Sequence, residues 1–185
     1  MRVVSGLARG HKLISAEGEG IRPTSDKVKE AIFSSLGGKV YNACFLDLFS
    51  GSGAMGIEAL SRDCSYAAFV EINKAHADVI RQNINHVIKA IPGANYDVFN
   101  LDAFEAINML SKNGKKFDII FVDPPYGKDE YFSILEKIFT AGVLNENGLL
   151  VIENAKENPE PSSKYFNIVK SKQYGKTAVY FMESM

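Results

Sequence analysis

The sequence predicts an α/β fold with a short N-terminal extension, in which a doubly wound, mostly parallel sheet of seven strands ends in an antiparallel strand. Strand-like apolar runs alternate with helix-like stretches, and most of these runs are too apolar to leave one face in water. Both features are typical of a parallel sheet covered by helices on both sides. Residues 171–176, between the final two runs, are too few for a parallel crossover and predict an antiparallel hairpin.

The predicted elements follow one another in regular order. Strands are expected at Ala43–Leu48, Tyr66–Glu71, Tyr96–Asn100, Phe117–Val122, Leu149–Glu153, Phe166–Lys170 and Thr177–Met182. Helices are expected between them at Ala54–Ser61, Asn73–Lys89, Ala103–Leu110 and Glu130–Ala141. Polar or glycine-containing segments separate these runs, as turns between buried elements require.

The segment 1–40 differs from this alternating core. Arg2–Ser5 and His11–Ile14 can pair as a short hairpin. A helix should follow, with Thr24 or Ser25 as its N-cap. The apolar face of that helix would consist of Val28, Ile32 and Leu36.

Length and composition predict an ordinary soluble domain. At 185 residues, with 46% hydrophobic and 23% charged residues, the chain is most simply one domain. We interpret 1–40 as an extension of a domain at 41–185, not as an independent unit. No membrane span or signal peptide is evident, and Cys44 and Cys64 form neither a metal pattern nor a disulfide framework, so we expect a cytoplasmic protein. The three histidines are scattered, and no metal site is expected.

The charges are unevenly distributed, although the net charge is only −1. Residues 1–12 contain Arg2, Arg9 and Lys12 without an acid, and residues 164–176 contain four lysines without an acid. Basic ends on a neutral body indicate an anionic partner held at the periphery. The alternative is that these side chains are simply solvated.

A glycine-rich turn follows the first core strand. Gly51, Gly53 and Gly56 give the pattern G-x-G-x-x-G, which lets the backbone approach a ligand without an intervening Cβ. The same pattern occurs in dinucleotide-binding folds, where a helix N-terminus holds a pyrophosphate. Here Asp47 occupies the strand end, four residues before the first glycine. A carboxylate at that place would repel a phosphate and attract a cationic amino group or sulfonium.

Acidic residues follow each of the first four predicted strands, at the edge where open α/β sheets bind ligands. They are Asp47, Glu71, Asp102 and Asp123. Glu71 suits the two hydroxyls of an unphosphorylated ribose, Asp102 can reach an adenine amine, and Ile72 and Ala103 could pack against the adenine faces. Each acid alone could equally be a cap or a surface residue. Together they imply adenosine with a zwitterionic tail and no phosphate, which is S-adenosylmethionine.

The tetrapeptide Asp123-Pro124-Pro125-Tyr126 follows the fourth predicted strand. Proline fixes φ and lacks an N–H, so the proline carbonyls are held as acceptors beside the Asp123 carboxylate. With the Tyr126 ring they form a slot that suits a flat aromatic group with an amine. The alternative is an ordinary turn at a strand end, since proline and aspartate are common turn residues.

These motifs resemble, in order and spacing, those of class I S-adenosylmethionine-dependent methyltransferases that act on exocyclic amines. Further segments, Arg2–Gly6, Arg22–Thr24, Ile57–Arg62 and Tyr174–Thr177, are similar to the bacterial small-subunit ribosomal RNA guanine-N2 methyltransferase family. The resemblance covers nearly the whole chain. The glycine turn and Asp123–Tyr126 are specific only to the superfamily, so the family resemblance depends on Arg22–Thr24 and Tyr174–Thr177.

The resemblance implies a Rossmann-like enzyme that methylates the exocyclic N2 amine of a guanine in 16S ribosomal RNA, within the small subunit or its assembly intermediate. It implies cofactor contacts from Asp47, Phe49, Gly51, Gly53, Glu71, Ile72, Asp102 and Ala103. It implies catalytic roles for Asp123, Pro124 and Tyr126. RNA contacts are expected from Arg2, Arg9, Lys12, Arg22 and Thr24.

Three alternatives stay open at the level of sequence. A DNA adenine-N6 or cytosine-N4 methyltransferase also uses Asp-Pro-Pro-Tyr, but reading duplex DNA needs extra elements, and only the short segment 1–40 lies outside the predicted core. A protein-glutamine methyltransferase usually has Asn in place of Asp123. A non-catalytic nucleotide-binding Rossmann module would keep the glycines but have no use for Asp123–Tyr126.

Overall fold

The computed structural model describes residues 1–16, 25–124 and 129–185. In these residues the chain forms one seven-stranded sheet flanked by helices. The strands are β1 Cys44–Leu48, β2 Tyr66–Val70, β3 Tyr96–Phe99, β4 Phe117–Val122, β5 Leu144–Ala155, β6 Phe166–Tyr174 and β7 Thr177–Ser184. The α-helices are α1 Asp26–Leu36, α2 Ala54–Ser61, α3 Lys74–Val87, α4 Ala103–Lys112 and α5 Asp129–Ala141. Short 3-10 turns at Gly37–Val40 and Ile88–Ala90 follow α1 and α3.

The sheet has the strand order β3-β2-β1-β4-β5-β7-β6. The strands β1 to β5 pair in parallel, whereas β7 pairs antiparallel with both β5 and β6. This arrangement confirms the predicted doubly wound sheet with an antiparallel final hairpin. The chain leaves β1 toward β2 and leaves the neighbouring strand β4 in the opposite direction, toward β5. The carboxyl edge between β1 and β4 is therefore the topological switch point of the fold.

Strands β5 and β6 are much longer than the sequence predicts, and β7 ends at Ser184 rather than Met182. β5 begins at Leu144 rather than Leu149, because Leu144 pairs with the start of β4 across a register shift, although the polar segment 145–148 reads as a turn. β6 continues to Tyr174 rather than Lys170, because its polar final residues complete the ladder with β7. Backbone pairing sets the start of β5 and the end of β6, and the hydrophobic pattern of the sequence does not reveal this pairing.

Alternate side chains of the sheet face two separate helix layers. Phe45, Phe69 and Phe121 are buried on the face covered by α1, α2 and α3, which we call the α1–α3 face. Leu46 and Ile120 are buried on the opposite face, against α4 and α5. Full burial of a side chain of this size stabilises the fold by about 1.5–3 kcal/mol. The two apolar layers therefore fix which side chains remain at the carboxyl edge.

The N-terminal residues form the predicted hairpin and dock on the α1–α3 face. The Val3 N–H donates to the His11 carbonyl oxygen at 3.0 Å, and Arg2 and Lys12 form an antiparallel bridge. Val3, Ala8 and Leu13 are buried in the same cluster as the side chains of α1, α2 and α3. The extension thus shares the hydrophobic core of the sheet.

Helix α1 begins at the cap that the sequence predicts. Ser25 Oγ accepts a hydrogen bond from the Val28 N–H at 3.2 Å, and the alternative cap, Thr24, lies outside the described residues. Val28, Ile32 and Leu36 are buried as predicted. These side chains hold α1 against the sheet and the N-terminal hairpin.

A buried carboxylate, that of Glu58 on α2, attaches the N-terminal hairpin to the core. Glu58 is 0% exposed, and its two oxygens accept the backbone N–H groups of Val4 at 2.8 Å and Ser5 at 3.0 Å. The Arg62 Nε donates to the same carboxylate at 2.9 Å, and the Lys29 Nζ lies 3.6 Å from it. Burial lowers the pKa of Lys29, and the Glu58 charge opposes this shift. The Glu58 carboxylate thus helps to keep the buried Lys29 side chain charged.

Close backbone contact also explains Gly6. Its φ is +78°, and a Cβ added there would lie 1.8 Å from the Ser61 carbonyl oxygen. The same oxygen accepts the Leu7 N–H at 2.8 Å. The segments Arg2–Gly6 and Ile57–Arg62, noted separately in the sequence, are the two halves of this one contact.

We expect Glu58→Ala to destabilise the fold by about 3–5 kcal/mol, because Lys29 would stay buried without its counter-charge and two backbone N–H groups would lose their acceptor. Urea unfolding followed by circular dichroism measures this. Asp78→Ala is the control: it breaks the exposed Asp78–Arg81 pair, 3.1 Å apart, and should cost about 1 kcal/mol or less. Equal losses in the two variants would contradict the role of Glu58.

Candidate active site

The glycine-rich turn connects β1 to α2 through three residues with positive φ. Phe49, Gly51 and Gly53 have φ values of 63°, 54° and 77°, so the chain reverses within a few residues. A left-handed conformation is unusual for a phenylalanine, and its neighbours hold it. Ser50 exchanges two hydrogen bonds with Val70 of β2: its N–H donates at 2.9 Å and its Oγ accepts at 3.0 Å. The turn is therefore fastened to the adjacent strand.

The glycines of this turn serve different purposes. A Cβ on Gly56 would lie 2.2 Å from the Phe69 ring, so Gly56 allows α2 to pack closely on β2. A Cβ on Gly53 would lie 3.0 Å from Ile80 of α3. At Gly51, in contrast, no atom lies within 4 Å of an added Cβ. Gly51 is thus the glycine that exposes backbone to open space, as a ligand-binding turn requires.

Asp47 lies at the end of β1, beneath the turn. It is 1% exposed, and its Oδ2 accepts the Gly56 N–H at 2.9 Å. Burial raises the pKa of Asp47 to about 7, the Gly56 hydrogen bond opposes that rise, and the Glu71 charge adds to it. A cationic group beside Asp47 would relieve this desolvation cost.

Glu71 follows β2 and holds the backbone of the glycine-rich turn and of the segment that leads into α3. It is 8% exposed; its Oε2 accepts the Gly51 N–H and its Oε1 the Asn73 N–H, both at 2.8 Å. The sequence predicts a ribose contact for this carboxylate but does not reveal that it anchors the glycine turn. Each carboxylate oxygen has a second lone pair, so the two roles are compatible.

The residues predicted to surround an adenine differ in exposure. Ile72 is 68% exposed, whereas Ala103 is 4% exposed and offers little side-chain surface. Asp102 is the N-cap of α4, and its Oδ1 accepts the Phe104 N–H at 2.8 Å. Asn100 Nδ2 donates to the Ile72 carbonyl oxygen at 2.8 Å and fixes the backbone there. Of the two residues predicted to pack against the adenine, only Ile72 therefore presents an exposed apolar side chain.

Asp123 emerges directly after β4 beside another acid, Glu153 of β5. Val122 pairs with Ile152, so the two acids occupy the next position of neighbouring parallel strands. Their side chains point to the α1–α3 face, as does that of Asp47, because side chains alternate along a strand. Burial raises the pKa of Asp123 well above its ordinary value, and the charges of Glu153 and Asp47 raise it further. These acids thus share one desolvated region.

Only part of the predicted amine slot is described. Pro124 is buried after Asp123, and Pro125 and Tyr126 lie outside the described residues. The predicted stacking by Tyr126 therefore stays a prediction. The Asp123 carboxylate and the Pro124 backbone are at the edge of the sheet where the cofactor acids were predicted.

Sequence reasoning missed two residues of this region. Glu153 is 9% exposed at the end of β5 and could have been found by applying the strand-end rule to one more strand. Asn83 of α3 is 1% exposed; its Nδ2 donates to the Ser52 and Ile14 carbonyl oxygens, both at 2.9 Å. Asn83 links the glycine turn to the N-terminal extension, and no sequence pattern marks it.

The residues predicted to contact RNA are dispersed. Arg2 lies 3.3 Å from Asp26, so its charge is partly compensated. Arg9 is exposed and follows Ala8, whose N–H donates to the Oγ of Ser61 at 2.9 Å. Ser61 is the last residue of α2, about 10 Å along that helix from the glycine turn. Lys12 is exposed on the hairpin. Arg22 and Thr24 lie outside the described residues.

The described part of the chain contains neither a candidate metal site nor a candidate membrane span. In residues 1–16, 25–124 and 129–185, no group of three or more His, Cys, Asp or Glu side chains could hold a metal ion. No helix there is long and apolar enough to cross a membrane.

The fold and this site define a class I S-adenosylmethionine-dependent methyltransferase. Within that class the chain belongs to the family described as conserved hypothetical protein 95, whose model matches residues 1–183. It is 34% identical to "Putative rRNA methyltransferase YlbH" of Bacillus subtilis, over 97% of this chain and 96% of that protein. It is 31% identical to "Ribosomal RNA small subunit methyltransferase D" of Haemophilus influenzae, over 95% of this chain and 89% of that protein. The solved structure of "Putative methyltransferase yhhF from Escherichia coli" matches with a TM-score of 0.84 and 28% identity, over 100% of this chain and 97% of that one.

These similarities confirm the predicted fold class, the family resemblance, the enzyme class and S-adenosylmethionine as cofactor. The roles of the individual site residues and the interpretation of 1–40 as an extension stay predictions, as does the cytoplasmic location.

We expect Asp47→Asn to stabilise the cofactor-free protein increasingly as the pH rises. In the wild type the folded pKa near 7 exceeds the ordinary value near 4, so the folded state binds the extra proton and loses stability between about pH 4 and pH 7. Asparagine has no such charge, yet its Oδ1 can still accept the Gly56 N–H. At pH 8 the variant should be more stable by about 1–4 kcal/mol.

Urea unfolding of both proteins between about pH 5 and pH 8 tests this effect. Asp123 titrates in both proteins, but its pKa is raised by burial and also by the Asp47 charge, which the variant lacks. The stability difference therefore reports the Asp47 charge together with its effect on Asp123, and both contributions favour the variant as the pH rises. If the difference in the free energy of unfolding between the two proteins does not grow with pH, the Asp47 charge is not destabilising in the folded protein.

Proposed function

We propose that the protein transfers a methyl group from S-adenosylmethionine to the exocyclic N2 amine of a guanine in 16S ribosomal RNA of the small subunit. The observation behind this proposal is the position of Asp123. It is a half-buried acceptor on the strand next to that of Asp47, at the start of an Asp-Pro-Pro-Tyr segment. The chain also has nearly the same extent as its ribosomal RNA methyltransferase relatives.

The described residues fit the cofactor. The backbone at Gly51 faces open space, Ile72 offers an exposed apolar surface, and Asp47 is a buried acid without a full counter-charge. We assign the cationic end of the cofactor to Asp47, its ribose to Glu71 and its adenine to the region of Ile72 and Asp102. When bound, S-adenosylmethionine supplies an electrophilic methyl group on a sulfonium.

Asp123 would position the guanine amine and receive its proton. The lone pair of such an amine is delocalised into the ring, so an acceptor that binds its N–H groups favours the pyramidal, nucleophilic form. Asp123 and the Pro124 carbonyl oxygen are these acceptors in our proposal. Burial raises the pKa of Asp123 and makes its carboxylate a stronger proton acceptor than an exposed aspartate. Alignment contributes most of the remaining acceleration.

Glu153 extends this group of acceptors. It lies on the strand next to Asp123, on the same face, and its charge raises the pKa of Asp123. Guanine presents N1–H beside its N2 amine, whereas adenine presents an unprotonated N1 beside its amine. Two adjacent carboxylates match the donor pair of guanine, which favours guanine over adenine as the target.

We place the RNA on the N-terminal side of the site as the family resemblance implies, with Arg9 and Lys12 as exposed cations. Arg2, Arg22 and Thr24 belong to the same proposed contact region. A base in a loop or unpaired segment costs less to extract than a base in a stem, so an exposed guanine is the expected target.

The experiment that tests this function is labelled methyl transfer to small ribosomal subunits from cells that lack the enzyme, followed by mapping of the modified base. A labelled N2-methylguanine in the small-subunit RNA supports the proposal. Labelling of duplex DNA at adenine N6 or cytosine N4, and not of the subunits, would support the competing DNA methyltransferase instead.

We expect Glu71→Ala to weaken S-adenosylmethionine binding by about 1.5–3 kcal/mol, or roughly 10–100-fold in Kd, because a charged acceptor is lost and the Gly51 N–H is released. Isothermal titration calorimetry on the folded variant measures the change. Asp78→Ala, an exposed acid on the neighbouring helix α3, should bind like the wild type. A folded Glu71→Ala protein with unchanged affinity would rule out the ribose assignment.

We expect Asp123→Ala to reduce turnover by about 100-fold or more, since general-base and positioning effects are of that size. Cofactor affinity should stay within a few fold, because Asp123 contacts the target amine. Asp123→Asn should retain more activity than Asp123→Ala, since the Asn side-chain oxygen still accepts a hydrogen bond. Single-turnover methyl transfer and cofactor titration on both variants measure this, and wild-type turnover in Asp123→Ala would exclude the proposed slot.

A further inference from the structure

The carboxyl edge of the sheet is acidic, yet the proposed substrate is a polyanion. Asp47, Glu71 and Glu153 are all buried there, and Asp123 lies beside them. Desolvated carboxylates repel phosphate groups more strongly than solvated ones. An RNA strand that delivers a base to this region therefore needs cations that hold its phosphates around the site.

The β6–β7 hairpin brings cations to that same edge. β5 runs parallel to β4, and β7 returns antiparallel, with Thr177 opposite Ala155. The turn between β6 and β7 therefore lies at the carboxyl edge of the sheet and not at the opposite one. The Lys156 N–H donates to the Lys176 carbonyl oxygen at 2.8 Å and joins the hairpin to the end of β5.

Two hairpin lysines lie on the face of the sheet that contains Asp123. Lys170 pairs with Phe181, and its Nζ lies 5.5 Å from the centroid of that ring, which is buried on the α1–α3 face. Lys172 pairs with Val179, which in turn pairs with Glu153. Lys172 is therefore in line with Asp123 across the sheet, three strand spacings or about 14 Å away.

These lysines are exposed, and their charges are not held in ion pairs within the described residues. Lys156, Lys170, Lys172 and Lys176 are all exposed and form no ion pair with another described residue. Residues 161–182 contain no aspartate or glutamate. Lys164 differs: it lies 3.8 Å from Glu136 and 4.9 Å from the Tyr165 ring centroid, before the start of β6 at the opposite edge of the sheet.

We propose that Lys170, Lys172 and Lys176 of the β6–β7 hairpin, with Lys156 beside them, form a phosphate-binding surface for the RNA strand that flanks the target guanine. This inference rests on the proposed function and extends it to a part of the chain far from the N-terminal hairpin. The competing explanation is that lysines on the edge strand β6 only prevent pairing with another sheet, which exposed edges commonly require.

The test is binding of the full-length protein to unmethylated small ribosomal subunits over a salt series. The variants are the triple substitution Lys170→Gln, Lys172→Gln, Lys176→Gln and the single substitution Lys172→Gln. Each lost phosphate contact should reduce the slope of log affinity against log salt by about one unit, so the triple variant should lose about two to three units. Its KM for subunits should rise about 10-fold or more at ~0.1 M salt. Lys164→Gln is the control, because Lys164 belongs to the same segment but pairs with Glu136 at the opposite edge of the sheet. Its salt slope and its KM for subunits should equal those of the wild type.

Cofactor titration and thermal unfolding identify a folding defect, and the single variant tests the surface if the triple variant aggregates. Wild-type salt slopes and KM in Lys172→Gln and in the triple variant would overturn the inference while leaving the proposed function intact. If the wild type itself transfers no methyl group to the subunits, the proposed function fails, and the inference fails with it.

Discussion

The parallel pairing of β1 with β4 is the constraint on which the rest of the site depends. Asp47 pairs with Phe121, so Asp123 lies two residues beyond Asp47 on the neighbouring strand and on the same face. The chain leaves β1 toward β2 and leaves β4 toward β5, and these opposite directions open a crevice between β1 and β4. The acid proposed to face the cofactor and the acid proposed for catalysis therefore come together because of backbone register, although β2, β3 and three α-helices separate Asp47 from Asp123 along the chain.

The N-terminal extension is held by a second constraint, the carboxylate of Glu58. This group is fully buried and binds two backbone N–H groups of the extension together with Lys29 and Arg62. Because Glu58 belongs to α2, whose first turn follows Gly53, the extension contacts the same helix that begins at the glycine-rich turn. Asn83 reinforces this connection from α3. The basic hairpin thus has a fixed position relative to the site.

Sequence patterns predict the elements well because strand alternation and helix periodicity are local properties. The strand β4, the helix α2 and the Ser25 cap agree with the structure residue by residue. Long-range contacts are different. No local pattern shows that Glu71 accepts the Gly51 N–H, or that Gly6 lies against Ser61. Glu153 combines both cases: its place near a strand end is a local signal, but only the pairing of β4 with β5 shows that it lies beside Asp123.

The desolvated acids also indicate how the two substrates of the proposed reaction influence each other. The charge of Asp47 raises the pKa of Asp123, and that of Glu71 raises the pKa of Asp47. A cationic cofactor beside Asp47 would offset its charge and thereby lower the pKa of both aspartates. Asp123 would then be more fully ionised, and an ionised carboxylate is the form that accepts the N–H groups of an amine. Cofactor binding would in this way prepare the acceptor for the base, while the RNA phosphates, held by cations at the periphery, stay away from the buried carboxylates.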